Sequence, residues 1–239
     1  MKDIVRMTRV QLLHTFVSCK SVLSLPYRVL VVAPHPDDEV LGCAGLVQRM
    51  LNIGRQVDVV ILSGGGRSHA GCCCIGEEVL VARRRELSQS AARIMGLPPD
   101  QLHFLDYPDG GINYDCGETV KLQQLIATLS PTAIFVPHRG EGWSDHIAAG
   151  NIVRKLISSM SAVQLYEYCV WFWYYNAKVA DWQQARVLNM TVEEHKTKLA
   201  AIDAYISPLA PCGNPWSGVL PRVFVNANRW KKELYFKSR

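Results

Sequence analysis

The chain has 239 residues, of which 49% are hydrophobic and 20% are charged. This length and composition predict one globular domain over residues 1–239, and they exclude a disordered chain, a collagen-like repeat and a coiled coil. Lys and Arg outnumber Asp and Glu by 26 to 21, which leaves a net charge of +5. Part of this excess lies in residues 229–239, which favours a solvated tail over a surface for nucleic acid or anionic lipid. We therefore expect no nucleic-acid partner.

Eight cysteines are spread along the chain, and three of them are consecutive, at residues 72–74. They do not form the dense framework of a small disulfide-rich protein, and no two separated CxxC pairs indicate structural zinc. This usage favours a reducing compartment, so we expect a cytoplasmic protein. The consecutive cysteines are interpreted as part of a loop near the cleft, with reactive thiols as the alternative.

The N-terminal segment is fairly apolar at residues 10–25, but polar residues such as His14 and Lys20 interrupt it. No cleavage-site pattern follows, and the run is not a clean membrane span. We predict a helical extension over residues 1–27 that covers the domain, and we expect no stable membrane insertion.

From residue 29 onward, short apolar runs alternate with helical patterns. Strands are predicted at residues 29–33, 57–62, 102–105 and 133–136, and helices at residues 37–53, 77–95, 118–129 and 145–157. This order predicts the α/β class, with a Rossmann-like three-layer fold and a mostly parallel central sheet. Beyond Ala162 the pattern is less regular, although a capping box at Thr191 and Glu194 predicts the start of another helix.

A polar motif, PHPDDE at residues 34–39, follows the first predicted strand directly. In open α/β sheets, ligands bind outside the carboxyl ends of the strands. His35 and Asp38 are three residues apart across a strand-to-helix turn, so their side chains can converge on one metal ion. Such a pair suits Zn²⁺, with Fe²⁺ or another divalent ion as the alternative. The other interpretation is a helix N-terminus whose acidic residues only complement the helix dipole.

A second polar segment, PHRGEGWSDH at residues 137–146, follows the predicted strand at residues 133–136. A catalytic zinc site has about three protein ligands, so a third ligand is expected at another strand end. His138 and His146 are the candidates, and Asp145 could orient a ligand. For either histidine alone, a structural role is the alternative.

The ordered set of motifs resembles one known family. PHPDDE is followed by an R-x-x-E pattern at residues 83–86, by YPDG at residues 107–110 and by DH at residues 145–146. This set is similar to the LmbE-like or PIG-L family of zinc-dependent N-acetylglucosamine deacetylases. The resemblance runs from about residue 29 to residue 150 and continues more weakly to residue 236.

The resemblance implies three zinc ligands, His35, Asp38 and His146. It also implies that Asp37 is the general base and that Arg83 and Asp109 hold sugar hydroxyl groups. An exposed ion pair with Glu86 explains Arg83 equally well, and its neighbours Arg84 and Arg85 compete for the role. Asp109 could be only a turn former.

The chain departs from the family at residue 143, where members commonly have the first histidine of H-P-D-H. That histidine is credited with stabilising the tetrahedral intermediate or donating a proton, whereas the indole of Trp143 has one donor and does not titrate near neutrality. His138 or Arg139 could reach the vacated space, or Asp37 could perform both proton transfers. We therefore predict Asp37 and His138 as catalytic residues, with Trp143 among the substrate contacts.

Taken together, the resemblance implies a metal-dependent hydrolase that removes the N-acetyl group from an N-acetylglucosaminyl-type substrate. The expected partner is a small amino-sugar glycoside, and a homo-oligomer is an open alternative. A carbohydrate-binding or regulatory pseudoenzyme is the rival interpretation. A nucleotide-binding module would depend only on the glycines at residues 64–66, for which a plain turn is the simpler explanation. The aromatic residues 171–175 could stack on a ligand or pack in a wall.

Overall fold

The computed structural model describes residues 2–69, 75–175 and 180–238, so the cysteines at residues 72–74 lie outside the described residues. Within these ranges, eight strands form one sheet. They are β1 Ser21–Val22, β2 Arg28–Ala33, β3 Gln56–Ile61, β4 Leu102–Phe104, β5 Ala133–Pro137, β6 Gln164–Tyr168, β7 Ala185–Asn189 and β8 Lys232–Lys237.

The strand order across the sheet is β1-β7-β8-β6-β5-β2-β3-β4. Strand β8 is antiparallel to β6 and β7, whereas the other neighbouring strands are parallel. The prediction of an α/β fold with a mostly parallel sheet is therefore confirmed. The two central strands β2 and β5 are neighbours, and this places the two polar motifs side by side at one edge.

Helices cover both faces of the sheet in the described part of the chain. They are α1 Lys2–Val17, α2 Asp38–Asn52, α3 Glu77–Met95, α4 Gly117–Leu129, α5 Ser144–Leu156, α6 Val192–Ile206 and α7 Arg222–Asn228. Alternate residues of β2 belong to different hydrophobic clusters, because successive side chains point to opposite faces. Val29 and Val31 pack with α2, α3 and α6, whereas Leu30 and Val32 pack with α4 and α5. The result is the expected three-layer arrangement.

The N-terminal region differs from the predicted helical extension over residues 1–27. Helix α1 ends at Val17, and residues 21–22 join the sheet beside β7. The helix packs through Val10 and Val17, and the guanidinium of Arg9 donates to the carbonyls of Trp173 and Tyr174 at 2.8 and 2.7 Å. Among the described residues, no helix has the length and apolar character needed to span a membrane.

The last third of the chain was only partly predictable. Residues 162–173, where the sequence pattern becomes less regular, contain β6 and a 3-10 helix at Trp171–Trp173. The capping box is confirmed, since Thr191 Oγ1 accepts from the Glu194 N–H at 3.1 Å. Helix α7 and strands β7 and β8 were not predicted, and β8 enters the sheet between β6 and β7.

Candidate active site

A cavity of about 330 Å³ opens at the carboxyl ends of β2 and β5. One half of its lining is polar and contains His35, Asp37, Asp38, Arg84, Asp109 and Asp145. The other half is apolar and contains Trp143, Trp171, Val219, Leu220 and Phe224. The position agrees with the general rule for open α/β sheets.

Three predicted metal ligands meet at the base of this cavity. Asp38 Oδ2 lies 3.4 Å from His35 Nδ1 and 3.2 Å from His146 Nε2. One potential ligand atom from each residue lies within 4.8 Å of the other two. His146 Nε2 is buried and has no hydrogen-bond partner of suitable geometry among the described residues. A buried ring nitrogen that faces a carboxylate without a well-oriented hydrogen bond is costly, and a divalent ion bound between the two would satisfy both.

Two further carboxylates hold the other nitrogen of His35. His35 Nε2 lies 3.2 Å from Asp109 Oδ1 and 3.1 Å from Asp145 Oδ2. Asp145 also accepts the Gly110 N–H at 2.7 Å, and Asp109 accepts the Arg67 N–H at 2.7 Å. These contacts restrict the orientation of the His35 ring, as acidic partners of metal-binding histidines commonly do.

Glu141 is a member of the site that the sequence analysis missed. It is fully buried, and its Oε2 lies 2.7 Å from His146 Nδ1. Its Oε1 accepts the backbone N–H groups of Val170 and Phe172. The only sequence signal is an acidic residue between Gly140 and Gly142, which does not reveal that the carboxylate is buried. The contact leaves His146 Nε2 to face Asp38.

The electrostatics of His146 follow from these partners. Burial lowers the pKa of its imidazole, but the carboxylates of Asp38 and Glu141 raise it, to about 9 on balance. Asp38 is the opposite case, since the positive charges of His146 and His35 outweigh burial and hold its pKa far below the usual range. The pair is thus poised to exchange a proton on His146 for a metal cation.

Asp37 occupies a strained backbone position at the N-terminus of α2. Its φ is 116° and its ψ is −28°, values that non-glycine residues rarely adopt. The Asp37 N–H donates to Glu39 Oε2 at 3.0 Å, and Glu39 in turn accepts from the Tyr205 hydroxyl. These contacts hold the turn in place. Burial, with the nearby charges of Asp38 and Glu39, raises the pKa of the Asp37 carboxyl to about 8.

Arg84, rather than Arg83, is the arginine of α3 that reaches the cavity. Arg83 lies at the surface in an ion pair with Glu86, so the structure does not bring it to the expected sugar site. Arg84 is buried and donates to the carbonyls of Gly65 and Pro36 at 2.9 and 2.7 Å. Successive helix positions point about 100° apart, so only one of the two can face inward.

The glycine turn before α3 is explained by this arginine. Gly65 has a φ of +66°, and a Cβ atom there would lie 2.0 Å from Arg84 Nη1. A side chain would therefore displace Arg84 as well as strain the backbone. This packing role favours the interpretation of residues 64–66 as a turn and gives no support to a phosphate-binding loop.

The structure does not bring His138, the second predicted catalytic residue, to the cavity. The backbone N–H of His138 donates to the Tyr168 carbonyl at 2.8 Å, so the chain at His138 still pairs with the end of β6. Its Nδ1 accepts the Gly140 N–H at 2.9 Å, and its ring contacts Phe172 and Phe236. The side chain consequently lies on the β6–β8 side of the sheet. Arg139, its possible substitute, pairs with Glu167 in the same region.

Trp143 and Asp109, the remaining predicted substrate contacts, both line the cavity. Trp143 is the residue that precedes α5, and its side chain stacks on Trp171. Of the eight predicted site residues, the structure thus gathers six: His35, Asp37, Asp38, Asp109, Trp143 and His146. Arg83 and His138 lie elsewhere.

The fold and this site define a class of α/β proteins with a His/Asp cluster at the strand ends, and the sequence comparison gives the family. Residues 30–157 match the family model described as PIG-L, GlcNAc-PI de-N-acetylase. The match covers more than half of the chain, and the protein belongs to the PIG-L family.

Individual relatives agree with this assignment. The chain is 29% identical over 134 residues to the diacetylchitobiose deacetylase of Thermococcus kodakarensis. The aligned region covers 55% of this chain and 49% of that relative. The chain thus spans about half the length of this curated relative. The crystal structure of the A40926 pseudoaglycone deacetylase shares the fold, with a TM-score of 0.68, 18% identity and coverage of 89% and 97% of the two chains.

The fold alone does not determine the reaction. A 4-carboxy-2-hydroxymuconate hydratase from Pseudomonas putida KT2440 also matches, with a TM-score of 0.63 and 20% identity over 74% of this chain and 78% of the hydratase. The chemistry must therefore be argued from the residues of the site.

Proposed function

We propose that the protein is a metal-dependent hydrolase that removes the N-acetyl group from an N-acetylglucosaminyl-type substrate. The observation that carries the proposal is the buried cluster of His35, Asp38 and His146 beside Asp37, in a chain of the PIG-L family. The deacetylase relative and the match to the GlcNAc-PI de-N-acetylase model support the substrate class.

His35, Asp38 and His146 would hold the metal ion. Two imidazole nitrogens and one carboxylate oxygen suit Zn²⁺, and Fe²⁺ is the alternative. A divalent ion bound there supplies Lewis acidity, which lowers the pKa of a water molecule and polarises the acetamide carbonyl. The buried His146 Nε2, which faces Asp38 Oδ2 at 3.2 Å without a well-oriented hydrogen bond, supports this assignment.

Asp37 is the residue placed to move protons. Its carboxyl lines the cavity beside the proposed metal ligands, and its pKa is raised towards neutrality. A carboxylate there accepts a proton from the attacking water and returns it to the amine that leaves. Because His138 lies outside the cavity, we assign both transfers to Asp37. Arg84 Nη2, 3.6 Å from Asp37 Oδ2, stabilises the ionised carboxylate before the first transfer and after the second.

The substrate would bind across both halves of the cavity. Asp109 lies on the polar side next to His35, where it can accept a hydrogen bond from a sugar hydroxyl group. Arg84 takes the place expected of Arg83, because it is the arginine of α3 that lines the cavity. Trp143 faces the same space from the apolar side.

Acetate release by the zinc-loaded protein from a panel of N-acetylglucosaminides tests the function. The wild type should release acetate, and Asp37→Asn should lower kcat by about 10²–10⁴ because the amide cannot take up the proton. Metal content should be unchanged in this variant. The exposed Asp115→Asn is a matched control that should retain wild-type turnover.

Two results would contradict the proposal in different ways. Full activity of Asp37→Asn would remove Asp37 as the proton-transfer group while leaving the deacetylase intact. No acetate from any member of the panel, with zinc bound and sugar binding measurable by calorimetry, would favour the carbohydrate-binding pseudoenzyme.

A further inference from the structure

Two stacked tryptophans, Trp143 and Trp171, form an aromatic wall beside the proposed metal site. The rings of Trp143 and Trp171 are parallel within 4°, with centroids 5.2 Å apart, and both line the cavity. Trp143 is 40% exposed, which is unusual for so large an apolar side chain next to a cavity. The exposed indole surface therefore offers a contact area that nothing in the described chain covers.

The wall is held rigidly by the residues behind it. Trp171 packs on Phe224 with ring centroids 4.1 Å apart, and the edge of Tyr174 meets it at 5.8 Å. A rigid aromatic surface loses little conformational entropy when a ligand binds to it. We therefore regard the wall as a preformed contact rather than as a loosely packed loop.

One buried carboxylate links the wall to the metal ligands. Glu141 Oε2 contacts His146 Nδ1 at 2.7 Å, while its Oε1 accepts the N–H of Phe172, the residue after Trp171, at 3.2 Å. On the other side, Trp143 is only three residues from His146 along the chain. Both tryptophans consequently have a defined position relative to the reacting centre.

The chemistry of the wall differs from that of the rest of the site. Val219, Leu220 and Phe224 add to the apolar part of the lining, and the carboxylates and Arg84 belong to its polar part. A hexosamine carries hydroxyl groups that need polar partners, and the polar half supplies them. A group that seeks an apolar, flat partner would lie against the tryptophans, because aromatic rings prefer stacked or edge-on contacts with other rings.

We propose that Trp143 and Trp171 form a subsite for an aromatic ring carried by the group that is linked to the amino sugar. This inference rests on the proposed function, since it names the class of substrate that the same site would take. At residue 143, where the family commonly has a histidine, the chain thus has a binding surface in place of a titrating group.

Binding and turnover of three probes test the subsite. They are p-nitrophenyl N-acetyl-β-D-glucosaminide, methyl N-acetyl-β-D-glucosaminide and N,N′-diacetylchitobiose. Calorimetry on the zinc-loaded Asp37→Asn protein gives Kd values without turnover, and the wild type gives kcat/KM values. The aryl glycoside should bind about tenfold more tightly than the methyl glycoside, which corresponds to about 1.4 kcal/mol.

Variants assign the preference to the wall. Trp143→Ala should reduce the aryl-to-methyl ratio of Kd values to about one, and Trp143→Phe should retain part of it because a smaller ring remains. Trp182→Phe is the matched control, since Trp182 packs against Phe16 and Phe236 in a different cluster. Metal content and circular dichroism of each variant show whether it has folded.

These outcomes test the aromatic subsite separately from the proposed deacetylase function. An aryl preference that Trp143→Ala removes supports the subsite, even if the wild type releases no acetate and the proposed function fails. Equal Kd values for the aryl and methyl glycosides would overturn the subsite, even if both are deacetylated. A preference that persists in folded Trp143→Ala, or tightest binding of the disaccharide, would overturn it as well.

Discussion

Two buried histidine–glutamate pairs flank the loop after β5, and they differ in almost every electrostatic respect. His146 lies 2.7 Å from Glu141, and His138 lies 3.6 Å from Glu167. Negative partners raise the pKa of His146 to about 9, whereas burial lowers the pKa of His138. Of these two histidines, His146 also contacts Asp38, which lines the cavity at the strand ends.

The second pair is neutralised by arginines. Arg139 and Arg154 both pair with Glu167, and they oppose the effect of this carboxylate on His138. No arginine pairs with Glu141 among the described residues, and its charge adds to that of Asp38 in raising the pKa of His146. Of these two buried histidines near a strand end, the ligand candidate is thus the one whose carboxylate partners are not paired with arginines.

The largest expected difference concerns metal binding. His146→Ala should lose stoichiometric zinc and reduce acetate release below detection, because one of three ligands is removed. His138→Asn should retain zinc binding and acetate release, since asparagine keeps an acceptor for the Gly140 N–H and the residue lies outside the cavity. Metal analysis and acetate release check this, and loss of zinc in folded His138→Asn would contradict it.

A second contrast is the pH dependence of zinc affinity. A ligand must be deprotonated, and the raised pKa of His146 means that the proton is still bound at pH 7. Zinc affinity should therefore increase roughly tenfold per pH unit for each imidazole that must lose a proton, up to about pH 9.

The metal-free protein should show the opposite trend. The raised pKa of folded His146 contributes stability below the unfolded value of about 6.5, and this contribution disappears as the pH rises through about 9. Competition with a chelator and thermal unfolding of both forms measure the two trends. A zinc affinity that is constant between pH 6 and pH 9 would contradict the assignment of His146.

The smallest expected effect comes from replacing each of the two glutamates with glutamine. Glu141→Gln should weaken zinc binding about 10–100-fold, because an amide orients the His146 ring but no longer increases its basicity. Glu167→Gln should leave zinc affinity unchanged while lowering the free energy of unfolding by about 1 kcal/mol, because both arginines that pair with Glu167 reach solvent and glutamine can still accept from them. Equal zinc affinities of the two variants would remove the distinction between the pairs.

Much of the architecture was readable from local sequence. Apolar runs and helical periodicity predicted the strands and helices between residues 28 and 157 to within one residue or two. Whereas His146 as the third ligand was implied by the family resemblance, the spacing across the strand-to-helix turn itself indicated that His35 and Asp38 would converge. These features depend on neighbours a few positions away, so the chain encodes them directly.

Other features were decided by packing between distant segments. The choice of Arg84 over Arg83 depends on which face of α3 meets the Gly65 turn, and the position of His138 depends on pairing with Tyr168. Likewise, Glu141 becomes functional only because Val170 and Phe172 bury it, and Trp143 forms a wall only because Trp171 lies beside it. The sequence by itself determined which residue types stand at the strand ends. The tertiary structure decided which of them face the cavity, because burial and charge compensation depend on contacts between residues far apart in the chain.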